Sequence, residues 1–252
     1  MTVPGCANQL DYCDPSRQAN FWGNFENLDA TADLWKIIAQ RYRDRHNVAG
    51  YNLIHQPNAP SHESLKYAYE KLIEAVRSVD QEHIIFLDGN NYSVSFKVFT
   101  DGSLASQDSN LVYSFDLYKD SSCSPNLDWE ADIREFLEEN VFGVIKDQNI
   151  PIFLGEYGGY CAEWIELVHI IMLDKGVQHM AYYSPKCAIG SYEGSKCLSK
   201  LSSVDNWVDL LIKIYYRRLV PGWQYDLGFE DLGSSNFTYD QDRISILERD
   251  YR

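Results

Sequence analysis

The chain has 252 residues, a formal net charge of −15 at pH 7 and a pI of about 4.7, and 45% of its residues are hydrophobic. This size and composition are enough for one large globular domain with a buried core, and they argue against a disordered chain. The negative charge argues against nucleic acid and anionic membranes as partners, because binding to phosphates needs clustered Lys and Arg side chains.

Strand-like and helix-like segments alternate along the chain, which is typical of an α/β fold with parallel strands. In chain order the pattern predicts a helix over 30–45, capped by Asp29 or Thr31, a strand over 48–54, a helix over 61–79, strands over 83–87 and 111–115, a helix over 129–141, a strand over 150–154, a helix over 161–174, a strand over 177–183 and a helix over 204–218. These are five strand–helix units, whereas a closed (β/α)8 barrel needs eight.

Two apolar segments a hundred positions apart end abruptly in polar residues and a Pro or Gly. They are Gly-Tyr-Asn-Leu-Ile-His-Gln-Pro at 50–57 and Ile-Pro-Ile-Phe-Leu-Gly-Glu-Tyr-Gly at 150–158. A buried parallel strand has this pattern when its carboxyl end opens into a functional site.

The pair resembles the two catalytic strands of family 5 glycoside hydrolases, whose tips are Asn-Glu-Pro and Gly-Glu-Phe/Tyr-Gly. The second tip is intact, but His55-Gln56 replaces Asn-Glu in the first. The resemblance implies an incomplete TIM (β/α)8 barrel over residues 1–218, formed by the family's fourth to eighth strands. Residues 1–9 resemble the loop after its third strand, and 219–252 form an acidic tail without assignment.

Retaining glycosidases use two carboxyl groups about 5 Å apart, one as nucleophile and one as acid and base. The resemblance places Glu156 at the nucleophile position, Gln56 at the acid/base position, and Tyr118 at the position of the Tyr that orients the nucleophile. An amide keeps the shape of a carboxyl group but cannot transfer a proton. The sequence therefore predicts impaired hydrolysis.

Three further positions are predicted to bind sugar by the same resemblance. His55 replaces an Asn that binds the sugar 2-hydroxyl, Asp116 replaces a His, and Tyr183 replaces a Trp that stacks on the sugar ring. His55 with Asp116 and Glu156 could also bind a divalent metal, but no tight ligand spacing supports one. We therefore expect neither a metal nor a cofactor.

The leading hypothesis is a catalytically impaired glycosidase-like protein, a pseudoenzyme that serves as a structural or interaction subunit of a larger assembly and retains some glycan binding. Other protein chains would close or cover the open sheet edges. One alternative is an active retaining β-glycosidase of the endo- or exo-β-glucanase type, and another is a carbohydrate-binding module. All three hypotheses allow for a sugar ligand, and a β-glucan-type sugar is the one expected.

The compartment is left open by the sequence. No signal peptide is visible at the N-terminus, and no apolar run approaches the roughly 20 residues of a membrane span. Six cysteines and the two sequons at Asn91 and Asn236 are compatible with secretion, and Cys187 and Cys197 could form a bridge.

Overall fold

A computed structural model describes residue 7, residues 21–119, 128–159 and 162–183, and the backbone of short strands at 186–187, 199–201 and 237–239. The predicted helix over 204–218 and the opening loop over 1–6 and 8–9 lie outside the described residues, as do the side chains of all six cysteines. The boundary at 218 and the pairing of Cys187 with Cys197 stay predictions.

Five strands form one sheet in the order β1-β2-β3-β4-β5, so neighbours in sequence are neighbours in the sheet. They are β1 Gly50–Asn52, β2 Ile84–Asp88, β3 Leu111–Lys119, β4 Ile152–Gly159 and β5 Met180–Tyr182. The pairing is parallel, with Gly50 opposite Ile84 and Ile85 opposite Leu111. This order and direction are those of consecutive units of a (β/α)8 barrel, as the sequence predicts.

Helices connect the strands. They are α1 Phe25–Tyr42, α2 His62–Arg77, α3 Asn90–Ser93, α4 Ser103–Gln107, α5 Trp129–Leu137 and α6 Ala162–Asp174, with a 3-10 turn at Phe96–Phe99 and a π-helical turn at Glu138–Phe142. The sequence missed α3, α4 and the 3-10 turn, because each is too short to show a helical period. In α3, a single turn, Asn91, Tyr92 and Ser93 have left-handed backbones. Within the described ranges, no helix is long and apolar enough to span a membrane.

The first helix begins five residues earlier than predicted. Asn24, rather than Asp29 or Thr31, is the N-cap, and its side chain accepts a hydrogen bond from the Glu26 N–H at 2.9 Å. Thr31 instead donates from its hydroxyl to the Asn27 carbonyl within the helix. Helix α2 begins as predicted, with Ser61 accepting from the Ser64 N–H at 3.1 Å.

The buried face of α2 follows the period of a helix that packs on a sheet. Its buried residues are Leu65, Ala68, Tyr69, Leu72, Ile73 and Val76, which recur at intervals of three and four. The Tyr69 hydroxyl donates to the Asp88 carbonyl at 2.6 Å. This bond ties the helix to the carboxyl end of β2.

An aromatic cluster fills the core beside β3. Phe99 stacks on Tyr113 with ring centroids 3.9 Å apart, and Phe96 meets Phe115 edge to face at 5.9 Å. All four side chains are buried. Offset and edge-to-face pairs add to the area that these large rings bury, and the cluster fixes the strand whose end carries Asp116.

The chain divides into two compact units. The first comprises Met1–Leu117, Asp128–Glu156 and Gly176–Met180, and the second comprises Tyr118–Leu127, Tyr157–Lys175 and Ala181–Arg252. In the second unit Tyr157 is buried and its hydroxyl hydrogen-bonds to His169 of α6. A small sheet of Lys186–Cys187, Ser199–Leu201 and Phe237–Tyr239 belongs to this unit.

Strand β1 is shorter than the predicted 48–54, and its early end serves the site. Leu53 and Ile54 are buried, but the Leu53 carbonyl accepts from the Trp35 indole N–H at 3.0 Å rather than from a neighbouring strand. The Leu53 N–H still donates to the Phe86 carbonyl of β2 at 3.3 Å, so the chain leaves the ladder after Leu53. This departure directs His55 and Gln56 away from the regular alternation of a strand.

The packing predicts unequal effects of shortening two helical side chains to Ala. Leu72→Ala should lower the free energy of unfolding by about 2–5 kcal/mol, since Leu72 is fully buried and a cavity would remain. Ile37→Ala is the control, with an expected loss below about 0.5 kcal/mol, because Ile37 is 64% exposed. Urea unfolding followed by circular dichroism measures both. Equal losses would contradict the helix orientations.

Candidate active site

Polar side chains from four consecutive strand ends line one cavity of about 280 Å3. His55 follows β1, Asp88 ends β2, Asp116 lies in β3 and Glu156 lies in β4. The remaining lining residues are Gly50, Asn52, Phe86, Ser114, Phe153 and Gly155. The carboxyl ends of parallel strands are the side of a (β/α) barrel at which active sites form.

Asp88 is the residue on which the other contacts converge. Its Oδ1 accepts from the Asn52 amide at 3.0 Å, and its Oδ2 accepts from the Gln56 backbone N–H at 3.0 Å and the Ser93 hydroxyl at 2.9 Å. The side chain is 1% exposed. Three donors compensate for burial of this carboxylate.

Sequence reasoning did not select Asp88. A signal was present, because Asp88 directly follows the apolar run 84–87 as Glu156 follows the run ending at Leu154 and Gly155. A carboxylate at the end of a buried parallel strand is aimed at the same rim as the other strand ends.

His55 lies between two carboxylates. Its Nδ1 is 3.5 Å from Asp88 Oδ2, and its Nε2 is 3.2 Å from Glu156 Oε1. Hydrogen bonding to Asp88, followed by that to Glu156, raises the pKa of His55 to about 10. Burial of the ring opposes this shift, and the negative charges of both carboxylates add to it. His55 is therefore an imidazolium at neutral pH.

Gln56 has a left-handed backbone, with φ of 49°. A non-glycine residue in this region costs about 1–2 kcal/mol, and the hydrogen bond from its N–H to Asp88 holds it there. Its side-chain Nε2 donates to Asp116 Oδ2 at 2.7 Å. Strain of this kind persists where the surroundings over-determine the conformation, often at functional sites.

Asp116 is 2% exposed. Burial is the main cause that raises the pKa of Asp116 to about 8; the negative charges of Asp88 and Glu156 act in the same direction, and the hydrogen bond from Gln56 opposes them. The carboxyl group therefore keeps its proton at neutral pH. The cavity holds two carboxylates, one carboxylic acid and one imidazolium.

The glycine before Glu156 is required by close packing of β4 on β3. A Cβ at Gly155 would lie 2.4 Å from Ser114 Oγ and 3.2 Å from Asp116 Oδ1. A side chain there would displace both groups. The Gly-Glu pair of the sequence motif thus has a steric cause in the neighbouring strand.

Of the predicted site residues, His55, Gln56, Asp116 and Glu156 come together through the contacts above. Tyr118 and Tyr183 belong to the second compact unit, where their rings meet edge to face with centroids 6.4 Å apart. Tyr183 is 39% exposed. Their roles as orienting residue and sugar platform stay predictions.

No group of three or more His, Cys, Asp or Glu residues in the described part of the chain has an arrangement that could hold a metal ion. In the cavity an imidazolium separates Asp88 from Glu156.

The protonated Asp116 predicts a pH-dependent stability. Its pKa is about 3.9 in an unfolded chain and about 8 in the fold, so its stabilising contribution is complete below pH 4 and is lost as the pH rises to 8. Asp116→Asn cannot ionise. Relative to the wild type, this variant should gain about 1–3 kcal/mol in the free energy of unfolding between pH 4 and pH 8.

Urea unfolding of both proteins at each pH measures this difference. Asp44→Asn is the control, because Asp44 is on the surface with its side chain 86% exposed, and its curve should run parallel to that of the wild type. A parallel curve for Asp116→Asn as well would show that Asp116 is ionised in the fold at neutral pH.

Comparison with known proteins identifies the family. The model of the cellulase family (glycosyl hydrolase family 5) matches residues 15–189. A beta-xylosidase of Phanerodontia chrysosporium is 36% identical over 101 residues, which are 40% of this chain and 21% of the xylosidase. An endoglycoceramidase of Cyanea nozakii is 39% identical over 85 residues, or 28% of this chain and 17% of that protein.

Solved structures agree on the fold. An endoglucanase from the hyperthermophilic Thermotoga maritima matches with a TM-score of 0.56 at 18% identity, over 66% of this chain and 61% of the endoglucanase. The matched part of the chain spans about a fifth of the two curated relatives and about three fifths of the endoglucanase. The predicted resemblance and the partial (β/α)8 barrel are confirmed: the chain belongs to glycosyl hydrolase family 5.

Proposed function

We propose that this protein is a catalytically impaired member of its family that keeps a sugar-sized pocket and an attacking carboxylate. The observation that carries this proposal is the side chain of Gln56. The resemblance of the sequence motif assigns its amide to the acid/base position, and the amide donates a hydrogen bond to Asp116. An amide has no proton to give to a departing sugar oxygen.

Glu156 supports the retention of the nucleophile. It lies at the cavity with 24% of its side chain exposed, and Gly155 lets β4 approach Asp116 closely. The cavity of about 280 Å3 is at the small end of ligand pockets, which suits one sugar ring rather than a chain. The xylosidase and a probable glucan 1,3-beta-glucosidase of Aspergillus fumigatus among the relatives make a β-linked pyranoside the proposed ligand.

We further propose that the protein acts as a structural or interaction subunit. Strand β1 is at one end of the five-stranded order, and in the described part of the chain its outer edge pairs with no other strand. An open edge of this kind is a template for another strand. Other protein chains that cover it are the proposed partners.

The proposed absence of a general acid predicts that the reaction rate depends on the leaving group. Dinitrophenyl 2-deoxy-2-fluoro-β-glucoside needs no acid to lose its phenolate, so the wild type should release dinitrophenol in a burst and gain one sugar adduct. Hydrolysis of unactivated β-glucan should be undetectable, and Gln56→Glu should raise it by about 10²–10⁴-fold. Intact-mass spectrometry and reducing-end assays measure the two steps, with Glu156→Gln as the control that cannot form an adduct.

A second candidate function is an active retaining β-glycosidase that uses Asp116 as its acid. The observation in its favour is that the buried Asp116 keeps a proton at neutral pH beside Gln56. Hydrolysis of unactivated β-glucan by the wild type, lost in Asp116→Asn, would establish this function and refute the impairment.

The subunit proposal predicts association of the purified chain. Sedimentation velocity at increasing concentration should show species above the 29.1 kDa of one chain, since an exposed strand edge pairs with any available strand. Hydrogen exchange at Asn52, whose backbone N–H faces the outer edge of β1, should slow as the association proceeds, whereas that at the central Ile85 should not change. A chain that stays monomeric with slow exchange at β1 would contradict an open edge.

A further inference from the structure

We propose that His55 is a positioning residue that holds Glu156 in an ion pair and restrains its attack on a sugar, as a second block beside the amide of Gln56. This inference rests on the proposed function, because it concerns the reactivity of the same carboxylate. It attributes the proposed low activity to Gln56, which cannot donate a proton, and to His55, which pairs with the nucleophile.

The two ring nitrogens of His55 face two different carboxylates, one buried and one partly exposed. Asp88 is held by donors from Asn52, Gln56 and Ser93 and is buried. The imidazole Nδ1 faces this immobile carboxylate at 3.5 Å, and its Nε2 faces Glu156 at 3.2 Å. Asp88 therefore holds the imidazolium in place, and the imidazolium forms an ion pair with Glu156, the carboxylate proposed to attack the sugar.

The charges of the cavity keep the imidazole protonated. Three of the four strands that line the cavity contribute ionisable groups that face it: Asp88 from β2, Asp116 from β3 and Glu156 from β4. Among the residues that line the cavity, His55 is the one basic side chain. Ionisation of Asp116 near pH 8 would add negative charge and strengthen the protonation of His55.

The chemistry of attack requires the ion pair to break. A Glu156 oxygen donates an electron pair to the anomeric carbon as the bond from that carbon to the leaving oxygen breaks, and the aryl oxide departs with the bonding electrons. The product is a neutral glycosyl ester, so the imidazolium loses one of its two anionic partners. An interaction stronger in the ground state than in the transition state slows the reaction.

The test compares rates of adduct formation with dinitrophenyl 2-deoxy-2-fluoro-β-glucoside. His55→Gln keeps an N–H donor but removes the charge, and we expect adduct formation about ten- to hundredfold faster than in the wild type, the range of a charged hydrogen bond. His46→Gln is the control, since His46 is an exposed residue outside the cavity, and it should match the wild type.

The pH profile separates the charge from a purely structural effect. The wild-type rate should rise as the pH passes about 10, where His55 loses its proton, whereas the rate of His55→Gln should have no such rise. An unchanged or slower rate for His55→Gln, or no adduct in either protein, would overturn the inference, because Glu156 freed from the imidazolium would still fail to attack.

A measurement without sugar covers the case in which His55→Gln does not fold. The titration of the His55 ring in the full chain, followed by 1H–15N NMR, should show an imidazolium at pH 8 that titrates at lower pH in Glu156→Gln. A neutral ring at pH 8, or a titration unaffected by Glu156→Gln, would overturn the ion pair. The impairment itself is judged separately, by hydrolysis of unactivated β-glucan in the wild type and Gln56→Glu.

Discussion

The buried carboxylate of Asp88 determines the geometry of the site. It receives donors from the end of β1, from the backbone after it and from the turn that follows β2, so three segments are fixed to one point. A buried carboxylate must be hydrogen-bonded in this way, because an uncompensated charge would cost several kcal/mol. The left-handed backbones of Gln56 and of Asn91, Tyr92 and Ser93 are where the chain bends to deliver those donors.

The same constraint explains why the cavity contains a cation. With Asp88 fixed on one wall and Glu156 and Asp116 on the next two strands, the wall would carry three carboxyl groups in a confined volume. One responds by keeping its proton, and the other two share the imidazolium of His55. His55 pairs with the carboxylates of Asp88 and Glu156, and Gln56 donates a hydrogen bond to the carboxyl group of Asp116.

The proposed impairment is compatible with an intact fold. The aromatic cluster around Tyr113 and the apolar face of α2 hold the strand ends in place, and neither depends on the two substituted residues. A chain can therefore lose proton transfer at Gln56 while it keeps the family architecture. The proposed subunit role rests on a different feature, the outer edge of β1, which pairs with no other strand in the described part of the chain.

The sequence by itself determined the parallel α/β order, the start of α2 at Ser61 and the convergence of His55, Gln56, Asp116 and Glu156, because apolar runs that end in polar residues locate the carboxyl ends of buried strands. It did not predict α3, α4 or the early end of β1, since these depend on bonds across the fold, such as that from Trp35 to Leu53. Only the tertiary structure showed Asp88 as the common acceptor and His55 as the bridge. Both roles arise from burial and from distances between strands that no local pattern encodes.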